Sequence, residues 1–257
     1  MVEISFNERR RRVAERVDEC TQAQYHRLLL LHLKYGWEGK DPEGLTMDLF
    51  SVLLNLSDLR IYHDYIVDEV MAQRDKLEGF FQDGGLKLGT CKNMLPEYHG
   101  WKGPGDMFNG LTFASWLEAY LAFSQGMKEG IDVKTRESLF ETMTKALYHH
   151  DDKNLQPSAV LVTHCILHFA EVWHTIMNNP VNIAGEDLDF GIIFRKTDNG
   201  RAHFDDRTGW IGVAMEVAKD GPFGDLKGVN AADFWDVIIY LYKCKFEFLH
   251  RKTPKTS

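Results

Sequence analysis

The sequence predicts a mostly α protein, a single-domain multi-helix bundle over residues 1–257 with one small β-hairpin excursion near residues 190–205. Three observations carry that expectation. Apolar residues recur with the 3.6-residue helical period along most of the chain. The strand–helix alternation of a parallel α/β sheet is absent. The chain has 257 residues, 44% of them hydrophobic, which is enough for one sizeable core.

Element by element, residues 7–35 read as a long helix, charged in its first turns and apolar in YHRLLLLHLKY, with Gly36 as its stop. KDPEG at 40–44 is a turn. Thr46 caps a second helical region that reaches Phe81, divided at Ser57-Asp58, because both residues favour caps. Residues 82–106 are glycine-rich, show no clear period and read as a long loop. Helical patterns return at 111–128, 135–150 and 157–178, the last with Pro157 in the first helical position.

Beyond Pro180, Ile192-Ile193-Phe194 and Ala202-His203-Phe204 flank Asp198-Asn199-Gly200, a hairpin signal. A short helix fits 210–219. Asn230 then caps a last amphipathic helix, 231–250, and the tail from about 251 to 257 is expected to fray.

The formal charge of -8 argues against general nucleic-acid binding and suits a basic partner. Cys20, Cys91, Cys165 and Cys244 are widely separated and form no CxxC pair, so neither a disulfide framework nor a zinc knuckle is expected. No secretory signal and no uninterrupted membrane-spanning stretch is read, and the expected location is cytoplasmic.

The most informative segment is PSAVLVTHCILHFAEVWHTIMN at 157–178. His164, His168, Glu171 and His174 fall within an arc of about 120° on one helix face. Imidazoles beside a carboxylate are ligands for a divalent metal such as iron, zinc or manganese, and they also move protons. The rest of the circumference is apolar, with Leu161, Ile166, Phe169, Val172 and Trp173 expected in the core. The competing reading is a stripe of histidines bonded to neighbouring elements or partly exposed.

A second Glu-x-x-His pair occurs at Glu247 and His250. Two such pairs resemble the pattern of the di-iron carboxylate bundles, with Glu141 and Glu216 as the lone carboxylates. On antiparallel helices Glu216 and Glu247 would fall at different heights, so the pattern is incomplete. His63-Asp64, with His26 or His32 before it and His149-His150-Asp151-Asp152 after it, resembles the metal-dependent histidine–aspartate phosphohydrolases. Here that pair falls mid-helix, and the small residues that often follow it are missing.

Two functional expectations result. One is an acidic helical interaction protein, of inhibitor or immunity type, that binds a basic protein partner. The other is a metal-dependent helical enzyme, a hydrolase or di-iron-type oxidase, built on the face of helix 157–178.

Overall fold

A computed structural model describes residues 1–36, 39–56, 64–194 and 209–250. The protein is mostly helical with several small two-stranded antiparallel hairpins. It divides into two compact units, Met1–Leu95 with Ser158–His168, and Pro96–Pro157 with Phe169–Ser257.

The first unit opens on a hairpin, β1 (Val2–Phe6) and β2 (Arg9–Val13), paired from Val2 with Val13 to Phe6 with Arg9. The helix expected over 7–35 is therefore corrected. Ile4 and Phe6, two residues apart, both point into the core, as the period of a strand requires. Asn7 and Glu8 both take positive φ, 51° and 60°, the conformation of a two-residue turn whose twist matches the strands it joins. The charged run that looked like a helix start is the outer strand.

Helix α1 (Gln22–Tyr35) starts only at Thr21, which forms a capping box with Gln24. Gly36 ends it at φ 73°. Helix α2 (Pro42–Leu53) is capped by Asp41, whose carboxylate accepts the Gly44 N–H at 3.0 Å. Pro42 occupies the first turn, where its missing N–H costs nothing. Thr46, the expected cap, lies inside the helix, and its hydroxyl donates to the Pro42 carbonyl at 2.7 Å.

Ser57, Asp58 and His63 lie outside the described residues. Helix α3 (Asp64–Met71) packs on α2 and β1. A 3-10 turn, Arg74–Phe80, leads to a minimal hairpin, β3 (Phe81–Gln82) and β4 (Gly85–Leu86).

The second unit begins with another hairpin, β5 (Glu97–Tyr98) and β6 (Trp101–Lys102), turned by His99 and Gly100 at φ 48° and 84°. The expected loop over 82–106 is thus interrupted by parts of two short hairpins. Helices α4 (Phe113–Gly126) and α5 (Val133–Leu147) are capped by Thr112 and Asp132 and pack side by side. The ring of Phe140 lies against Gly126, where a Cβ would come within 2.7 Å of it.

Helix α6 (Ala159–Asn178) follows Ser158, whose hydroxyl accepts the Leu161 N–H at 3.3 Å. Pro157 precedes this cap instead of occupying the first helical position. By length and composition alone α6 would suffice to cross a membrane, contrary to the sequence expectation, but 56% of its apolar window is buried inside the protein.

After α6 comes the hairpin β7 (Val181–Ile183) and β8 (Glu186–Leu188). The hairpin expected near 190–205 falls largely on residues 195–208, outside the described residues, and its described start, Phe190–Ile193, is a 3-10 turn. Helices α7 (Gly209–Asp220), α8 (Leu226–Ala231) and α9 (Phe234–His250) complete the unit. Asn230, expected to cap the last helix, lies within α8. Asp233 takes that place, its carboxylate accepting the Trp235 N–H at 2.9 Å.

An aromatic core holds the second unit. Trp116 is fully buried among Phe113, Tyr120, Trp173, Trp210 and Phe234, with ring centroids 4.8–5.6 Å away. Phe169 lies 5.1 Å from both Phe108 and Phe123. Of the core expected for α6, Leu161, Phe169 and Val172 are buried, while Ile166 and Trp173 are half-buried. Replacing Phe169 by Ala opens a cavity that the packed rings cannot fill, so chemical denaturation should show a loss of about 3–5 kcal/mol.

Candidate functional site

The histidine face of α6 divides between the two units. His164 and His168 belong to the first, at 0% and 1% exposure. Glu171 and His174 belong to the second, the former half-buried and the latter exposed.

The hydrogen bonds of His164 fix its protonation. Its Nε2 lies 3.0 Å from Asn93 Oδ1, and that oxygen also accepts the Leu95 N–H at 2.9 Å. Because a backbone N–H only donates, the Asn93 atom must be the carbonyl oxygen, so His164 Nε2 carries a proton and donates. In the neutral ring Nδ1 is then an acceptor, and it takes the Tyr25 hydroxyl proton at 2.9 Å. The Asn93–Leu95 bond is itself a side-chain turn that shapes the buried loop supplying the acceptor.

The surroundings keep His164 neutral. Burial pushes its pKa well below the ordinary imidazole range, and the neighbouring His168 adds to the shift. The two rings are nearly parallel, 14° apart, with centroids 5.6 Å from each other. His168 donates from Nδ1 to the Thr90 carbonyl at 2.8 Å. Burial also raises the Tyr25 phenol, so it stays a donor, and lowers His32 on α1. Cys20 is pushed up to about 12 by burial and by Glu19 and Asp18, which leaves it a thiol with little nucleophilic character.

The other ring and carboxylate positions are spread over the fold. Asn178 donates its side-chain amide to His174 Nδ1 at 3.2 Å. On α9, Glu247 is exposed, and His250 donates to the Phe246 carbonyl at 2.8 Å and stacks on the Phe246 ring. Glu141 is half-buried on α5 and Glu216 is exposed on α7. His150 lies against the Trp101 ring, and its Nδ1 accepts the Asp152 N–H at 3.0 Å. His63 is outside the described residues. Among the described residues, no group of three or more His, Cys, Asp or Glu side chains comes together as a metal shell would require. All four cysteines are free.

Tyr25, Thr90 and Asn93 were not visible as partners in the sequence. They lie 139, 78 and 71 residues, respectively, from the rings they serve. The one available signal was Asn93 itself, a turn-forming residue beside the apolar Met94-Leu95. Comparison with protein families, with curated proteins and with solved structures finds no match.

Two outcomes test this network. Tyr25→Phe removes the hydroxyl that His164 Nδ1 needs and should cost roughly 1–3 kcal/mol in urea unfolding. The second concerns pH. The folded pKa of His164 is depressed, so below the unfolded value of about 6.5 the unfolded state binds a proton that the folded state does not. Stability should be level above roughly pH 7.5 and fall by up to about 1.4 kcal/mol per pH unit for this group as the medium is acidified below 6.5. His32 adds in the same direction. In His164→Gln the acid slope of the unfolding free energy should shrink by about one proton's worth. An unchanged slope would show that His164 is not the group titrating.

Proposed function

We propose that the protein is a non-catalytic interaction protein whose acidic surface binds a basic protein partner. One observation carries the reading. In the second unit Glu118, Glu129, Glu137, Glu186 and Glu216 are exposed, and among the described residues no lysine or arginine pairs with any of them. Exposed carboxylates that are not held in ion pairs cost solvation little and are available to a cationic partner. The net charge of -8 has the same sign.

The state of His164 supports the same reading, because both of its ring nitrogens are taken by structural hydrogen bonds.

Binding of a lysine-rich peptide, followed by fluorescence anisotropy, should weaken steadily between roughly 50 and 500 mM salt, because screening shortens the reach of exposed charges. Neutralising Glu118, Glu129, Glu137 and Glu216 to Gln should slow association, with the main change in the on-rate. Binding indifferent to both salt and these substitutions would remove the proposal. In a separate measurement, elemental analysis of untagged protein should give iron, zinc and manganese at background. Stoichiometric metal lost in a His168→Ala/His174→Ala variant would favour the enzyme instead.

A further inference from the structure

We propose that strand β2 is an open, arginine-lined edge that accepts an extended acidic segment of another protein as a third strand. This goes beyond the acidic surface above, lies in the first unit and has the opposite charge.

The two edges of the N-terminal hairpin are treated differently. On β1, Ser5 gives its N–H to Gln73 Oε1 at 2.7 Å, and Gln73 Nε2 donates to the Ser5 carbonyl at 2.9 Å. Lys76 Nζ donates to the Glu3 carbonyl at 3.2 Å. Side chains from the segment after α3 therefore close the outer edge of β1.

Those bonds also orient β2. Both main-chain groups of Ser5 point away from the partner strand. In an antiparallel ladder directly opposed residues turn their main-chain groups either both toward or both away from each other. Arg10 is the partner of Ser5 and Arg12 the partner of Glu3. The N–H and C=O groups of Arg10 and Arg12 therefore point out of the free edge of β2. Among the described residues, no backbone partner outside the hairpin reaches them.

The side chains add charge to this edge. Arg9, Arg10, Arg11 and Arg12 are all exposed. Among the described residues, a carboxylate meets only that of Arg10, which lies 3.3 Å from Glu3 with both side chains largely in solvent. Such a pair contributes little and yields readily to a competitor. Arginine suits this task because its planar fork binds carboxylate oxygens in pairs.

An incoming strand would exchange main-chain bonds with Arg10 and Arg12. It would also set its own residues beside guanidinium groups on both faces of the ribbon, so glutamate or aspartate at successive positions is the complementary sequence. An extended polypeptide uses both features. A nucleic acid could use only the charge and has no strand with which to extend the ribbon.

The probe is a fluorescein-labelled peptide of consecutive glutamates, titrated with the full chain at low salt. Anisotropy should report saturable binding, and hydrogen exchange at the Arg10 and Arg12 amides should slow in its presence. The Arg10→Gln/Arg12→Gln variant should bind at least about tenfold more weakly. A peptide N-methylated at alternate amides keeps its charge and cannot add a strand, and should also lose about tenfold or more. That arm uses the unaltered protein, so it does not depend on how the variant folds. No binding, or equal binding of the N-methylated peptide, overturns the proposal. Tighter binding of a single-stranded oligonucleotide of matched charge would assign the ribbon to nucleic acid instead. Because the lysine-rich peptide reads the other surface, failure of one test leaves the other standing.

Discussion

The constraint on which the first unit depends is a neutral imidazole with no access to water. His164 cannot be charged where it lies, and a neutral ring must donate from one nitrogen and accept at the other. Asn93 supplies the acceptor and Tyr25 the donor. Each partner belongs to a different segment, helix α1 and the loop before residue 96, while the ring belongs to α6. Three distant pieces of chain are therefore held by one tautomer. A buried polar network of this kind specifies a unique arrangement because every slipped alternative leaves a group unpaired.

The rest of that core follows from the same requirement. Asn93 can serve the imidazole only because its carbonyl oxygen also closes a turn onto the Leu95 N–H. The turn lets Met94 and Leu95 be buried, and the loop presents the Thr90 carbonyl to His168. An apparently featureless glycine-rich segment is thus an ordered structural part of the unit. The second unit uses a different principle. Its core is a set of aromatic rings around Trp116, stacked, tilted or edge-to-face, where buried ring area replaces hydrogen bonding.

Local concentrations of charge are hidden by composition. The formal sum of -8 conceals a strand of four exposed arginines in the first unit. It also conceals exposed glutamates in the second that form no ion pair among the described residues. Net charge describes long-range behaviour, whereas binding depends on where the charges are placed.

By itself the sequence determined what rests on local periodicity. The helices at 113–126, 133–147, 159–178 and 209–220 were legible to within a few residues, because a 3.6-residue apolar pattern and nearby cap residues are read from neighbours in the chain. Residues 7–13, expected to start a helix, belong to a hairpin for a local reason too. The alternation of Val2, Ile4 and Phe6 is short, and the arginine run imitates the polar start of a helix. What only the tertiary structure decided is which groups surround His164 and His168. The sequence placed His164, His168, Glu171 and His174 on one face but gave no partner for any of them. The partners lie far along the chain, and a neutral buried imidazole has the same spacing as a metal ligand. Only the three-dimensional position of Asn93 and Tyr25 fixes where the protons are, and so what the ring does.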